Sequence, residues 1–159
     1  MKAKLVAVGN QLMGDDGIAL KVAENIRGVL ERKGIKVIIG ETDIYYCFNE
    51  IFDAEIVYIL DASYYGKKPG TITVKEIKDS KIYEEKQFTQ HGINLIKLIE
   101  MYNLDKKIYI IGIEIHEITY SFNISRILNN KLNEICCKVQ NVVLDNYMIC
   151  NNQRFTLEI

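Results

Sequence analysis

Asp16, Asp61 and His91 have the residue types and the positions to share one site. Asp16 lies in the stretch Gly9-Asn10-Gln11-Leu12-Met13-Gly14-Asp15-Asp16-Gly17, which follows the apolar run Leu5-Val6-Ala7-Val8. That order reads as a buried strand, a tight glycine loop, and two carboxylates where a helix begins. In an open α/β sheet such a loop lies at the carboxyl end of a strand, where these folds bind ligands. A phosphate-binding loop presents bare amides there, because a helix N-terminus attracts anions. This chain sets its own anions at that point, which favours a metal ion or a cationic substrate over a nucleotide. An acid at a helix start also caps free amides. Two adjacent acids cannot cap the same amides, so Asp15 is read as the cap and Asp16 as the ligand.

Asp61 follows Ile56-Val57-Tyr58-Ile59-Leu60 with no polar buffer, which puts it at the end of a buried strand. It either opens into the same mouth or accepts the amides of an Ala62-Ser63 turn. His91-Gly92 stands between a polar stretch and a helical pattern, where the imidazole serves as a ligand or as a helix cap. The second histidine, His116, has Glu114 and Glu117 nearby and reads as part of a solvated loop. Two carboxylates and one imidazole suit zinc or nickel better than calcium or magnesium. Other chemistries fit less well. Gly9, Gly14 and Gly17 lack the G-x-G-x-x-G spacing of a dinucleotide fingerprint, and no serine lies in a nucleophile-elbow sequence.

The elements that must position these residues follow from periodicity. Lys4–Val8 reads as a first strand, and the pattern from Asp16 to near Gly34 as a helix. Lys36–Ile39, Glu55–Leu60 and Lys107–Ile113 read as further strands, and Thr71–Ile77, after Pro69-Gly70, as a strand at an edge. Asp79–Gln90 carries no periodic signal. Helices are expected over Ile93–Tyr102 and Ile124–Met148, and Ile149–Ile159 as an added strand or a frayed end. Strand and helix alternate throughout, which predicts an α/β fold: three layers, a mostly parallel twisted sheet with helices on both faces, formed by residues 1–159 as one domain.

Composition excludes several classes. The 159 residues are 48% hydrophobic, and 20 basic against 21 acidic residues leave a net charge of -1, with no basic stripe to hold nucleic acid. No apolar run approaches the roughly 20 residues of a membrane span. Cys47, Cys136, Cys137 and Cys150 lack zinc-ligand spacing and read as free thiols in a reducing compartment. The expectation is a soluble cytoplasmic protein.

The motif Gly9-Asn10-x-Leu12-x-x-Asp15-Asp16-Gly17 resembles the N-terminal signature of the nickel-iron hydrogenase maturation endopeptidases. Asp61 after its apolar strand, His91 before a helix and Gly112-Ile113 late in the chain match that family in order and spacing. The resemblance implies an endopeptidase that removes the C-terminal extension of a hydrogenase large-subunit precursor after nickel insertion. It implies Asp16, Asp61 and His91 as the metal-contacting and catalytic trio, and a monomer whose partner is that precursor. The metal is then nickel carried by the substrate, or another divalent ion such as zinc. Either the trio holds a metal that activates water, or it reads whether the substrate has been loaded. Tyr45, Tyr46, Phe48, Tyr64 and Tyr65 are candidates for a partner surface or for ordinary core and loop positions. The sequence departs from the family pattern twice. Gly40-Glu41-Thr42-Asp43 has glutamate before the threonine of a turn implicated in substrate recognition, and Ile115-His116 replaces a proline after the late strand. Two further readings are a Rossmann-like module that binds a metal or small ligand without hydrolysis, and a large-subunit chaperone.

Overall fold

The apolar run at the N-terminus forms strand β1 (Ala3–Val8), buried along its whole length. A strand covered on both faces is the mark of a parallel sheet between helical layers. The computed structural model describes residues 1–77 and 90–157. A 3-10 turn (Gly14–Gly17) leads from β1 into helix α1 (Ile18–Arg32), followed by β2 (Ile35–Glu41), α2 (Ile44–Ile51), β3 (Ile56–Ser63) and β4 (Ile72–Ile77). Helix α3 (Gln90–Met101), strand β5 (Lys107–Glu114) and helix α4 (Arg126–Leu157) complete the order.

The sheet runs β2-β1-β3-β5-β4. The first four strands are parallel, and β4 pairs antiparallel with β5 at the edge. Exposed Val74 with Lys75 and Glu76 keeps that edge unattractive to further strands. Successive side chains point to opposite faces. Leu5 and Ala7 of β1 therefore join a core under α1 and α4, while Val6 and Val8 join a second core under α2 and α3. Residues 58 and 60 of β3 follow the first core and 57 and 59 the second, so Asp61 belongs to the α3 side. The chain turns to one side of β1 to make β2 and to the other to make β3. The carboxyl ends of β1 and β3 thus flank a topological switch point, the usual ligand crevice of an open α/β sheet.

The expected fold class is the one observed, and three elements differ from their sequence reading. Helix α2 was not read from the sequence. Only eight residues long, it starts at Asp43, whose side chain accepts Tyr46 N–H at 2.9 Å, and it buries Cys47, Phe48 and Ile51. The carboxylate of Asp53 and the Glu50 carbonyl both accept from Lys4 Nζ, which ties this segment to β1. Strand β3 runs on to Ser63, so Asp61 is inside the strand. Helix α4 absorbs the tail as far as Leu157 in place of an extra strand. It does so because Cys150 is buried and Asn146 accepts the Tyr58 hydroxyl at 2.8 Å, holding the late turns against the sheet. The stretch predicted to be irregular lies outside the described residues, apart from Gln90, which opens α3. Among the described residues no helix is long and apolar enough to cross a membrane.

Candidate active site

The first loop is shaped by a backbone contact. Gly9 has φ +145°, and a Cβ there would stand 2.2 Å from the Asp16 carbonyl oxygen, so only glycine lets the loop fold back on itself. Asn10 N–H then donates to Asp16 Oδ2 at 2.7 Å, and Leu12 N–H donates to Asn10 Oδ1 at 2.9 Å. Asp16 is buried, held from behind by an amide.

His91, in the first turn of α3, brings Nε2 to 3.6 Å from Asp16 Oδ2. That is an ion-pair distance, too long for a direct hydrogen bond. The neighbouring Asp16 carboxylate raises the His91 pKa above the ordinary imidazole value, partial burial opposes the rise, and the charge of Asp61 adds to it. A proton-linked test follows. In an NMR titration, with the two histidines assigned through His116→Gln, His91 is expected to titrate above about 6.5 and to move down in Asp16→Asn. An unchanged His91 titration in that variant contradicts the pairing.

Asp61 is fully buried. Oδ1 accepts Ala62 N–H at 2.8 Å, although Ala62-Ser63 continues β3 and makes no turn, and Oδ2 accepts Gly92 N–H at 3.1 Å. The second bond reaches one of the unpaired first-turn amides of α3, where an anion is favoured. It also locks the residue beside His91. A Cβ on Gly92 would lie 2.8 Å from Asp61 Oδ2, so the close approach depends on glycine.

Asp16 and His91 thus meet across the switch point, and Asp61 stands next to them. Zinc-sized ions bind carboxylate oxygen and imidazole nitrogen at about 2.0–2.2 Å, and two donors at a tetrahedral angle then lie about 3.4 Å apart. The Asp16–His91 spacing and the donor chemistry fit that arrangement. A complete cage is not assembled: among the described residues no three His, Cys, Asp or Glu side chains group closely enough to hold a metal ion. Asp61 turns Oδ1 toward the Ala62 amide and Oδ2 toward the Gly92 amide.

Asp15 does not cap α1, whose start carries no side-chain cap. The 3-10 turn sends the two adjacent acids in different directions. Asp15, buried, accepts His116 N–H at 3.1 Å, Glu117 N–H at 3.2 Å and Ser125 N–H at 2.5 Å, tying the loop between β5 and α4 to the first loop. Gly14 N–H donates to the Ser121 carbonyl at 2.8 Å and reinforces the tie. His116 is exposed, as a loop residue should be, and in this contact contributes only its amide.

Glu114 was missed. Read as part of a solvated loop, it is buried at the end of β5 and accepts Tyr65 N–H and Lys67 N–H, both at 3.0 Å, and the Ser63 hydroxyl at 3.3 Å. It shapes the β3–β4 connection beside Asp61. The available signal was its direct attachment to the apolar run Ile108–Ile113.

Both departures in the loops now have a physical setting. Glu41 takes a left-handed backbone, φ +50°, where glycine is at ease and a side chain costs about 1 kcal/mol. Its carbonyl accepts Gly9 N–H at 3.0 Å, linking the turn after β2 to the first loop. Ile115 N–H donates to the Ser63 carbonyl at 3.0 Å, a bond that proline at this position would forfeit. Of the five aromatic candidates, Tyr45, Tyr46 and Tyr64 are exposed, Phe48 is core, and Tyr65 is half-buried under Lys67 and Lys75.

The comparisons with known proteins agree with this architecture. A family model described as hydrogenase maturation protease, HycI, matches residues 20–145, a stretch that holds Asp61 and His91 and begins after Asp16. The fold is similar to that of the NiFe hydrogenase maturation protease HybD from Thermococcus kodakarensis, at 25% identity and a TM-score of 0.72, covering 89% of this chain and 99% of that one. It is also similar to the hydrogenase maturating endopeptidase HybD from E. coli, at 17% identity and a TM-score of 0.71, covering 91% and 93%. No curated protein sequence matches this one. With the family model spanning most of its length, the chain belongs to the hydrogenase maturation protease family.

Proposed function

We propose that this protein is an endopeptidase that removes the C-terminal extension of a nickel-iron hydrogenase large-subunit precursor once nickel is in place. The observation that carries the reading is the meeting of Asp16 and His91 at the switch point, 3.6 Å apart, with Asp61 locked beside them. In this reading the nickel belongs to the substrate. A resident structural metal asks for a closed set of protein ligands, whereas a carboxylate–imidazole pair with a third carboxylate nearby suits an ion that already has other ligands.

The chain's own groups have separable tasks. Asp16 stands opposite the His91 ring and favours its protonated form. Contact with nickel would require a neutral imidazole, so any proton on His91 would leave on binding. Asp61, fixed by the Ala62 and Gly92 amides, supplies a carboxylate whose position is set before the substrate binds. A bound metal would supply polarisation of the scissile carbonyl and activation of water.

Incubation with the precursor, followed by intact mass, tests the reading. Loss of the C-terminal extension is expected. An uncut precursor together with tight, stoichiometric metal binding would instead assign the chain to a non-hydrolytic binding module. Gly92→Ala probes the positioning step. The added methyl displaces Asp61 Oδ2, so processing should fall about tenfold with about 1–2 kcal/mol of stability lost. Full activity in Gly92→Ala would remove Asp61 from the account.

A further inference from the structure

A groove of about 560 Å³ lies between the start of α2 and the outer face of α3. Half-buried Ile44 and Leu98 line it, with Tyr45 and Met101, 74% and 75% exposed, and the Asn94 amide. Asp43 caps α2 through Tyr46 N–H, which fixes Ile44 and Tyr45 in place. His91, Asn94, Leu98 and Met101 recur at i, i+3, i+7 and i+10, a spacing that puts them along one face of a helix. The groove therefore continues the line of the candidate site down α3. The ten residue steps from His91 to Met101 rise about 15 Å, the span of about four to five residues of extended chain.

We infer that this groove holds an extended segment of the precursor adjoining the bond that is cut, with apolar side chains against Ile44, Leu98 and Met101. The inference rests on the endopeptidase reading. A peptidase must hold the chain beside the scissile bond, and the groove lies on the same face of α3 as His91, beginning about one turn further along. Asn94 offers a donor and an acceptor to a passing backbone, and apolar Tyr45 and Met101 beside polar Thr42 and Lys97, which also line the groove, suit a polypeptide with both kinds of side chain.

Steady-state processing of the nickel-loaded precursor by wild type, Met101→Glu and Asn94→Ala tests this, with Met148→Glu as a control on the exposed side of α4. Met101 and Asn94 are exposed, so neither change threatens folding. Met101→Glu should raise KM about tenfold and Asn94→Ala about threefold, with kcat within about threefold of wild type and the control at wild-type values. Processing by wild type with KM unchanged in both groove variants overturns the groove and leaves the endopeptidase intact. No processing by wild type overturns both. Dimerisation of wild type that Met101→Glu abolishes, with KM unchanged, would assign the groove to a second copy of the chain and also overturn the inference.

Discussion

Asp16→Asn and His91→Ala should each lower processing of the nickel-loaded precursor by about a thousandfold while leaving the fold in place. Asn at position 16 keeps an oxygen for the Asn10 amide, which accepts nothing more than a carboxylate oxygen does now. What it removes is the charge opposite His91. His91 is half-exposed at the start of α3, so its truncation leaves no large cavity. The stability effect of the pair is small and carries a definite sign. His91 has its pKa raised in the folded state, so the pair stabilises the protein fully below about 6.5, the unfolded value, and the contribution fades as pH rises through the folded pKa. Solvent screening of a half-exposed group keeps it at about 1 kcal/mol or less. Denaturant melts of Asp16→Asn should therefore differ from wild type more at pH 5 than at pH 9. Processing that survives either substitution removes that residue from the site.

Asp15→Ala should do the reverse, with a loss of about 3 kcal/mol in urea unfolding, a drop in Tm of roughly 6–12 °C, and a smaller effect on chemistry at low temperature. Its buried carboxylate is the acceptor for three backbone amides of the β5–α4 loop, and alanine leaves all three without it. Asp15→Asn keeps one acceptor oxygen and should fall between. Two adjacent acids are thus expected to separate, one serving stability and the other the reaction. Equal stability of Asp15→Ala and wild type would show that the loop is held by its other contacts, such as Gly14 N–H to Ser121.

That separation marks where the sequence was readable and where it was not. Local signals placed Asp16 in the loop after β1 and His91 at the start of a helix, and put Asp61 within two residues of the end of its strand, because apolar runs and glycine loops are written over a few residues. The division between Asp15 and Asp16 is not local. Asp15 finds an amide at Ser125, 110 positions away, and nothing near Asp15 records that partner. Helix α2 was hidden by its length and by aromatic residues with modest helix propensity, although Asp43 and the spacing of Ile44, Cys47, Phe48 and Ile51 carried the signal. Glu114 was misread because charged neighbours suggest solvent, while its strand alternation sends the side chain inward to the amides of Tyr65 and Lys67. Contact between Asp61 and Gly92 needed the sheet order, since only the pairing of β3 between β1 and β5 brings α3 over its carboxyl end.

In the proposed reaction, nickel in the substrate triggers cleavage at the Asp16–His91 mouth. Nickel-loaded and nickel-free precursor, each incubated with the wild-type protein and followed by intact mass, test it most directly. Loss of the C-terminal extension from the loaded precursor alone is the predicted result. Equal cleavage of both forms, or of neither, would contradict it.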